Sequence, residues 1–250
     1  MILSSPDIIL EAGNALFFFR FLEWDSNFFG RPCYMLDTAN SNLIASDKII
    51  ELFKQNFRDS FVSAKINTLV DYSIVQILQE CGFRYIDTEV ILKSVGALFY
   101  IQENNDIKVV KQYCNAKLPH EELGSAFSFS RFHTDVNITE SKADSLWVNY
   151  LKNYQPDDNH HMFVAFFRDE PAGIILANQN VKQVVLFFVA VLSDFQNKGV
   201  GSNLIQKVVQ NFKGFSITTG TQIKNTKALN FYIRNGFSTI TLTKTILHMW

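Results

Sequence analysis

The chain has 250 residues, of which 47% are hydrophobic and 19% are charged, and its 23 basic and 24 acidic side chains give a formal net charge of −1. This composition excludes a disordered chain, and the balanced charge excludes a general electrostatic attraction to nucleic acid or anionic membranes. The length suits one large domain or two domains of roughly 100–150 residues.

The cysteines and the N-terminal residues indicate the cellular compartment. Cys33, Cys81 and Cys114 are odd in number and far apart, which argues against a disulfide framework and against a zinc site. Residues 1–11 lack the basic flank and the apolar run of a signal peptide, and no apolar run reaches the ~20 residues of a membrane span. We therefore expect a soluble, cytoplasmic protein without a metal site and without a membrane or nucleic-acid partner.

Strand patterns alternate with helix patterns along the whole chain. Apolar, β-branched or aromatic runs predict strands at 16–22, 61–66, 162–167, 173–177 and 184–191. This alternation predicts an α/β or mixed α+β fold. The polar residues 102–106 offer little to a core, so they are the predicted linker between domains at 1–101 and 107–250.

The two halves repeat one order of elements: helix, strand, helix, a Gly-Phe pair and strand. The pairs are Gly82-Phe83 and Gly236-Phe237, and the glycines lie 154 residues apart. The agreement favours a duplicated fold. A helix that ends at glycine before a core phenylalanine is also a common local arrangement, so the repeat alone does not decide between the two explanations.

The strongest local pattern is a glycine-containing turn between an apolar strand and an amphipathic helix. The turn reads Gln196-Asn197-Lys198-Gly199-Val200-Gly201. Its glycines let a ligand approach the backbone, and the N–H groups at the start of a helix favour an anion such as a pyrophosphate. A Rossmann motif would need a third glycine at Leu204, and a P-loop would need Gly-Lys-Ser/Thr, so neither pattern fits.

The turn resembles the pyrophosphate loop of the GNAT acetyltransferases, and a second segment strengthens that resemblance. It contains Asn225, Ala228, Tyr232 and Gly236-Phe237 at the spacing of that family. The resemblance implies a GNAT fold with a mixed, mostly antiparallel central sheet flanked by helices, and acetyl-CoA as the acyl donor. The cofactor-binding residues that it implies are Val189, Val191, Gln196, Asn197, Lys198, Gly199, Val200, Gly201, Ser202 and Asn225.

The resemblance also suggests a role for Tyr232, because the family's tyrosine lies near the sulfur of the cofactor. A phenol with an ordinary pKa of ~10 can give a proton to a departing thiolate, so Tyr232 is the predicted general acid. The alternatives are that Tyr232 is a core aromatic residue and that Asn225 is a helix N-cap. Leu78 and Asp71 occupy the matching positions of the first half, which is therefore expected to be a smaller, degenerate GNAT-like half without cofactor.

The residues 22–30 resemble the opening segment of the TDP-fucosamine acetyltransferases, a group of GNAT enzymes. This resemblance implies a nucleotide-linked amino-deoxy sugar of the TDP-4-amino-4,6-dideoxyhexose type as acceptor, and a role in surface polysaccharide synthesis. Another small-molecule or protein amine, or a non-catalytic acyl-CoA-binding module, is the alternative. The predicted substrate-binding residues are Arg131, His133, Thr221 and Gln222.

A carboxylate is expected to take a proton from the attacking amine. The candidates are Glu89 on a strand, Asp25 in a loop, and Asp87, although each alone is more often a solvated charge, and His133 is a further possibility. His160 and His161 are interpreted as the solvated start of a strand. Exposed strand edges would permit a homodimer.

Overall fold

A computed structural model describes residues 6–12, 15–39, 47–67, 72–94, 104–112 and 118–250. Packing divides the chain into two compact units, residues 1–89 with 242–250 and residues 90–241. The predicted α/β or mixed α+β fold is confirmed, since both units contain strands together with helices. None of the helices in the described ranges is long and apolar enough to cross a membrane.

The first unit contains a twisted run of strands with helices that cover an aromatic core. Its elements are β1 (Ile8–Ala12), β2 (Ala15–Phe21), α1 (Glu23–Phe29), β3 (Cys33–Ala39), α2 (Asp47–Asn56), β4 (Phe61–Asn67), α3 (Tyr72–Glu80) and the first part of β5 (Arg84–Ser94). Pairing is antiparallel between β1 and β2 and between β2 and β3, and parallel between β3 and β4. Phe53 of α2 packs edge-on against Phe17 and Phe19, so aromatic contacts hold α2 on this sheet.

The second unit holds the elements in which the glycine-containing turn lies. They are β6 (Ile107–Gln112), α4 (His120–Ser125), α5 (Arg131–Thr134), α6 (Glu140–Asn153), β7 (His160–Phe167), β8 (Glu170–Gln179), β9 (Gln183–Val191), α7 (Val200–Asn211), β10 (Ser216–Gln222), α8 (Thr226–Arg234) and the start of β11 (Phe237–Met249). β6 to β9 are antiparallel neighbours, and β10 is parallel to β9. Apolar clusters form on both faces of this sheet, one with α7 and α8 and the other with α4 and α6.

The division by packing differs from the predicted boundary at residues 102–106. It falls within β5 and β11, because the C-terminal residues 244–249 of β11 pair with β4 in the first unit. Val90 and Leu92 of β5 belong to the core of the second unit. A polar segment shows where a chain has nothing to bury, but strand pairing decides which sheet a strand joins. As a domain linker, residues 102–106 stay a prediction, and residues 102 and 103 lie outside the described residues.

The two units share a structural irregularity at equivalent places. In the first unit the parallel ladder between β3 and β4 ends at Leu36, and the next residue, Asp37, is an extra residue opposite β2. In the second unit the ladder between β9 and β10 ends at Leu186, and Phe187 is an extra residue opposite β8. Both ladders have four pairs. This shared β-bulge supports the duplication more strongly than the order of elements does.

Candidate active site

The strands β9 and β10 separate inside the second unit. Their ladder runs from Gln183 opposite Ser216 to Leu186 opposite Thr219, whereas β9 continues to Val191. The bulge at Phe187 lies at the end of the ladder, and bulges bend and twist a strand and interrupt its pairing. The last residues of β9 therefore leave a gap toward β10, in which an extended chain can bond to the main chain of β9 near Val189 and Val191.

The predicted turn lies just beyond the end of β9 and is open to solvent. Asn197 has φ +61° and Gly199 has φ +89°, so the backbone is left-handed at both positions. Asn197, Lys198 and Gly199 are exposed. The turn is therefore not covered by the rest of the unit, as a ligand-binding role requires.

Helix α7 begins at Val200 without a side-chain cap. Its N-cap residue is Gly199, and its first intrahelical bond runs from the Asn203 N–H to the Gly199 carbonyl at 3.0 Å. The N–H groups of Val200, Gly201 and Ser202 thus lie at the positive end of the helix dipole, where an anion is favoured. An anionic group such as a diphosphate suits these N–H groups.

Gly201 is required by packing as well. A Cβ atom added at this position would lie 2.9 Å from Cε2 of Phe231, a residue of α8. The absence of a side chain at Gly201 therefore lets α8 approach the first turn of α7. Sequence reasoning assigned Gly201 only to ligand approach and missed this second role.

Gln196 supports the turn through contacts with other parts of the unit. Its side-chain Nε2 donates to the Val191 carbonyl at 3.1 Å, and its Oε1 accepts from Nζ of Lys227 at 2.6 Å. Its backbone N–H donates to the Ser193 carbonyl at 3.2 Å. Gln196 therefore joins the end of β9 to α8, and the cofactor contact that the resemblance implies for Gln196 stays a prediction.

Lys198 projects from the same turn over two aromatic rings. Its Nζ lies 5.3 Å from the ring centroid of Phe167 and 5.6 Å from that of Phe195. Cation–π contacts of this kind restrict the ammonium group without neutralising its charge. The positive charge of Lys198 therefore stays close to the N-terminus of α7.

Tyr232 is a core residue of helix α8. Its ring contacts Phe231 and Phe237 at centroid distances of 5.3 and 5.5 Å, and only 5% of its surface is exposed. Burial raises the pKa of Tyr232, and a hydrogen bond with the Thr219 side chain opposes that shift. The phenol is therefore neutral at ordinary pH and carries a proton that it can donate. The structural and the catalytic interpretations are compatible.

Asn225 caps helix α8, as the alternative interpretation predicted. Its Oδ1 accepts a hydrogen bond from the Ala228 N–H at 3.1 Å. The amide nitrogen of Asn225 remains the part of the side chain suited to a cofactor contact. Thr221 and Gln222 precede this turn at the end of β10 and are buried.

His133 is held by the protein at both ring nitrogens. Nδ1 lies 2.7 Å from Ser130 Oγ, and Nε2 lies 3.1 Å from Oδ1 of Asp144. Trp147 Nε1 also donates to Ser130 Oγ, at 3.2 Å. Both ring nitrogens of His133 thus have partners within the protein, and the substrate contact of His133 stays a prediction.

Arg131 lies on the same short helix, α5, and its guanidinium lies 4.6 Å from the ring centroid of Phe132. Nζ of Lys224 donates to Thr134 Oγ1 at 2.6 Å, which joins α5 to the turn before α8. Arg131 is thus placed near that turn and stays a candidate for substrate binding.

The candidate carboxylates lie in the first unit. Lys65 Nζ contacts both oxygens of Glu89, at 3.1 and 3.2 Å. Asp25 lies in helix α1 rather than in the predicted loop. Asp87 is buried, and its Oδ1 accepts from the Thr88 N–H at 2.8 Å. Glu89 therefore has a cationic partner that an attacking amine or a water molecule would have to displace.

The sequence predicted that both histidines at the start of β7 are solvated, but only one of them is exposed. His160 is exposed, and its Nδ1 lies 2.8 Å from Oδ2 of Asp157. His161 is buried, and its Nε2 lies 2.8 Å from Oε1 of Gln179. Among the residues with a described position, no cluster of His, Cys, Asp and Glu side chains is suited to a metal ion.

Comparisons with known proteins agree with this arrangement. Residues 128–237 match the model of the Acetyltransferase (GNAT) family. Over 116 residues the chain is 23% identical to the spore coat polysaccharide biosynthesis protein SpsD of Bacillus subtilis (strain 168). That alignment covers 45% of this chain and 40% of SpsD, so it spans less than half of the relative.

Solved structures establish the GNAT fold. A GCN5-related N-acetyltransferase from Kribbella flavida is 14% identical, with 97% of this chain and 89% of that chain covered and a TM-score of 0.65. A tandem GNAT protein from the clavulanic acid biosynthesis pathway is 10% identical, with coverages of 97% and 81% and a TM-score of 0.56. The tandem relative agrees with an architecture of two related halves. GNAT acetyltransferases use acetyl-CoA as the acyl donor.

Proposed function

We propose that this chain, whose residues 128–237 match the GNAT acetyltransferase family, is an acetyl-CoA-dependent N-acetyltransferase with its donor site in the second unit. One observation carries the proposal. Strand β9 continues from Leu186 to Val191 beyond its ladder with β10, and the uncapped first turn of α7 lies beside the end of β9, since a Cβ atom added at Gly201 would lie 3.6 Å from Cγ2 of Val191.

The donor would be held by two kinds of main-chain contact. The N–H groups of Val200, Gly201 and Ser202 would bind its diphosphate, with Lys198 adding a positive charge. The unpaired stretch of β9 around Val189 and Val191 would bond to the amide groups of the pantetheine chain. When bound, the donor supplies an acetyl thioester. An N–H group of β9 that is not bonded to the pantetheine would polarise the thioester carbonyl, which lowers the barrier to attack by an amine.

Tyr232 would donate its proton to the sulfur as the thioester bond breaks. Burial keeps the phenol protonated, and a general acid acts only in its protonated form. The attacking amine must be neutral, so a base is needed as well. Glu89 and Asp25 are the proposed bases, and Glu89 would act after an incoming amine or water displaces Lys65.

The proposed acceptor is the amine of a nucleotide-linked amino-deoxy sugar of the TDP-4-amino-4,6-dideoxyhexose type. The resemblance of residues 22–30 supports it, and so does the similarity to a protein named for polysaccharide biosynthesis. Arg131 would pair with the nucleotide diphosphate. Another small amine or a protein amine is the alternative acceptor.

Two measurements on the whole chain test the proposal. Titration calorimetry with coenzyme A and acetyl-CoA should give saturable binding to one site, and thiol release should follow the addition of an amine from a panel of TDP- and UDP-amino sugars, polyamines and peptides. Tyr232→Phe should lower turnover while the affinity for acetyl-CoA stays nearly unchanged. Absence of coenzyme binding would refute the donor site. Binding without thiol release from any amine would indicate a non-catalytic acyl-CoA-binding module.

A further inference from the structure

We propose that Lys227 binds the diphosphate of the donor and that Gln196 is a positioning residue, which holds the Lys227 ammonium beside the glycine-containing turn. The inference rests on the proposed function and deepens it. It adds a side chain of α8 to a phosphate site that otherwise consists of main-chain N–H groups and Lys198. The patterns in the sequence assign no role to Lys227.

Lys227 lies on the face of α8 that packs against α7. It is the second residue of α8, and residues four apart on a helix share a face, so Lys227 and Phe231 lie on the same side. A Cβ atom added at Gly201 would lie 2.9 Å from Cε2 of Phe231, so this side of α8 meets the first turn of α7. Lys227 is therefore one helical turn from that contact, on the side of α8 that faces the start of α7.

Gln196 holds the Lys227 ammonium by an amide whose orientation is fixed by its two partners. The Val191 carbonyl can only accept, so Nε2 of Gln196 faces it, at 3.1 Å. The ammonium of Lys227 can only donate, so Oε1 of Gln196 faces it, at 2.6 Å. Both partners require the same orientation of the amide. Because Gln196 is the first residue of the turn, Lys227 Nζ is held at the turn itself.

The contact with Gln196 leaves the charge of Lys227 intact. An amide oxygen is neutral, so it orients the ammonium without cancelling its charge. No carboxylate in the described part of the chain forms an ion pair with Lys227. Two cations, Lys198 and Lys227, are thus positioned by uncharged groups at the same turn. An arrangement of this kind suits an anion that carries more than one charge, as a diphosphate does.

The position of Lys227 in its helix is unfavourable for a cation. The N-terminal end of a helix favours acidic side chains, but the first turn of α8 contains none. Lys227 is exposed, so no packing requirement explains a lysine there. Lys224, the other lysine at this end, donates to Thr134 Oγ1 at 2.6 Å and so reaches toward α5 instead. A residue that breaks a local preference without a packing reason is expected to serve binding.

Titration calorimetry with coenzyme A tests the contact with the phosphates. Lys227→Met should weaken binding by about three- to tenfold at low salt and by less at high salt. Lys227→Arg keeps the charge and can still donate to Gln196, so its affinity should stay within about twofold. Arg234→Gln is the matched control, because it removes an exposed cation from the last position of the same helix, about 10 Å further along its axis. Equal losses in Lys227→Met and Arg234→Gln would overturn the proposal.

Dephospho-coenzyme A identifies the phosphate that Lys227 contacts. This compound lacks the 3′-phosphate of coenzyme A and keeps the diphosphate. The loss of affinity caused by Lys227→Met should therefore be the same for both compounds. If the loss disappears with dephospho-coenzyme A, Lys227 contacts the 3′-phosphate and the assignment to the diphosphate is wrong.

A double-mutant cycle tests the positioning role of Gln196. Gln196→Met should weaken coenzyme A binding by about threefold in the native background and by less than about twofold in the Lys227→Met background. Gln196→Glu should weaken binding at least as much as Lys227→Met does, because the carboxylate pairs with the ammonium and repels the diphosphate. If Gln196→Met costs the same affinity in both backgrounds, Gln196 acts on the turn alone, and the positioning role is refuted.

These affinities separate the inference from the proposed function, because they do not depend on turnover. If an amine is acetylated but Lys227→Met binds coenzyme A as tightly as the native protein does, the inference is wrong and the proposed function stands. If binding depends on Lys227 as expected but no amine is acetylated, the proposed function fails and the contact is upheld. Absence of coenzyme binding would refute both.

Discussion

The substitution Gly201→Ala tests the close approach of α8 to the first turn of α7. In the interior of an exposed helix, alanine is favoured over glycine by about 1 kcal/mol. At this position the new Cβ atom would lie 2.9 Å from Cε2 and 3.0 Å from Cζ of Phe231, so the ring must move. Forcing one carbon into packed surroundings costs about 1–3 kcal/mol.

The expected net effect is therefore a loss of about 0–2 kcal/mol in the free energy of unfolding. Phe231→Leu removes the ring atoms that the new Cβ atom would meet. In that background Gly201→Ala should stabilise the protein by up to about 1 kcal/mol, so the two substitutions should show a coupling of at least about 1 kcal/mol. The affinity for acetyl-CoA should fall with Gly201→Ala in the native background, because α8 and the first turn of α7 must separate.

Urea unfolding of the four proteins, read by circular dichroism, measures the coupling. Titration calorimetry with acetyl-CoA measures the effect on the site. If Gly201→Ala stabilises the native background as much as the Phe231→Leu background, the ring is not in contact with Gly201. The packing reason given for that glycine would then be refuted, and only its exposure of main-chain N–H groups would remain.

Three further predictions concern charge and burial. Lys198→Met should weaken coenzyme A binding by roughly three- to tenfold at low salt and by less at high salt. Lys213→Met, at an exposed lysine just beyond α7, is the control and should have little effect. Equal losses of affinity in calorimetry would contradict a local role of Lys198. Burial raises the pKa of the Cys81 thiol to about 12. At pH ~8 the folded protein should therefore alkylate at Cys81 on the order of a thousandfold more slowly than the urea-unfolded chain, and similar rates by mass spectrometry would be inconsistent with burial of this thiol. Burial also lowers the pKa of His161 from 6.5. The unfolded chain then binds a proton at His161 more readily than the folded protein does. The contribution of neutral His161 to the free energy of unfolding is therefore fully present above pH ~6.5 and is lost as the pH falls through the folded-state pKa. His161→Gln should reduce the loss of unfolding free energy between pH ~7.5 and ~5.5, and an unchanged loss would exclude His161 as its source.

Local patterns in the sequence predicted the local conformation of much of the proposed donor site. Gly199 and Gly201 between an apolar strand and an amphipathic helix predict a turn with exposed N–H groups, because the requirement for small residues and the helix period are local properties. The structure has that turn at the start of α7. The spacing from Asn225 to Tyr232 likewise predicts a cap and a core-facing tyrosine on one helix, and both are present.

Contacts between side chains that are distant in sequence could not be predicted from these local patterns. Lys65 and Glu89 are 24 residues apart, and Gln196 and Lys227 are 31 residues apart. The sequence suggested His133 as a substrate-binding residue, and the fold places Ser130 and Asp144 at its two ring nitrogens. A residue type indicates what a side chain can bind, whereas its neighbours in the fold decide whether it is still available.

The sequence by itself determined the order of the elements, the glycine turn and the position of Tyr232, since each depends on residues close together in the chain. The tertiary structure alone decided where β9 leaves β10. Both faces of β9 pack against apolar clusters, so the apolar run from Val184 to Val191 has the same composition on either side of the bulge at Phe187. Only pairing with β8 and β10 shows that the ladder ends at Leu186. The division of β5 and β11 between two compact units was hidden for the same reason, because strand pairing joins residues that are far apart in sequence.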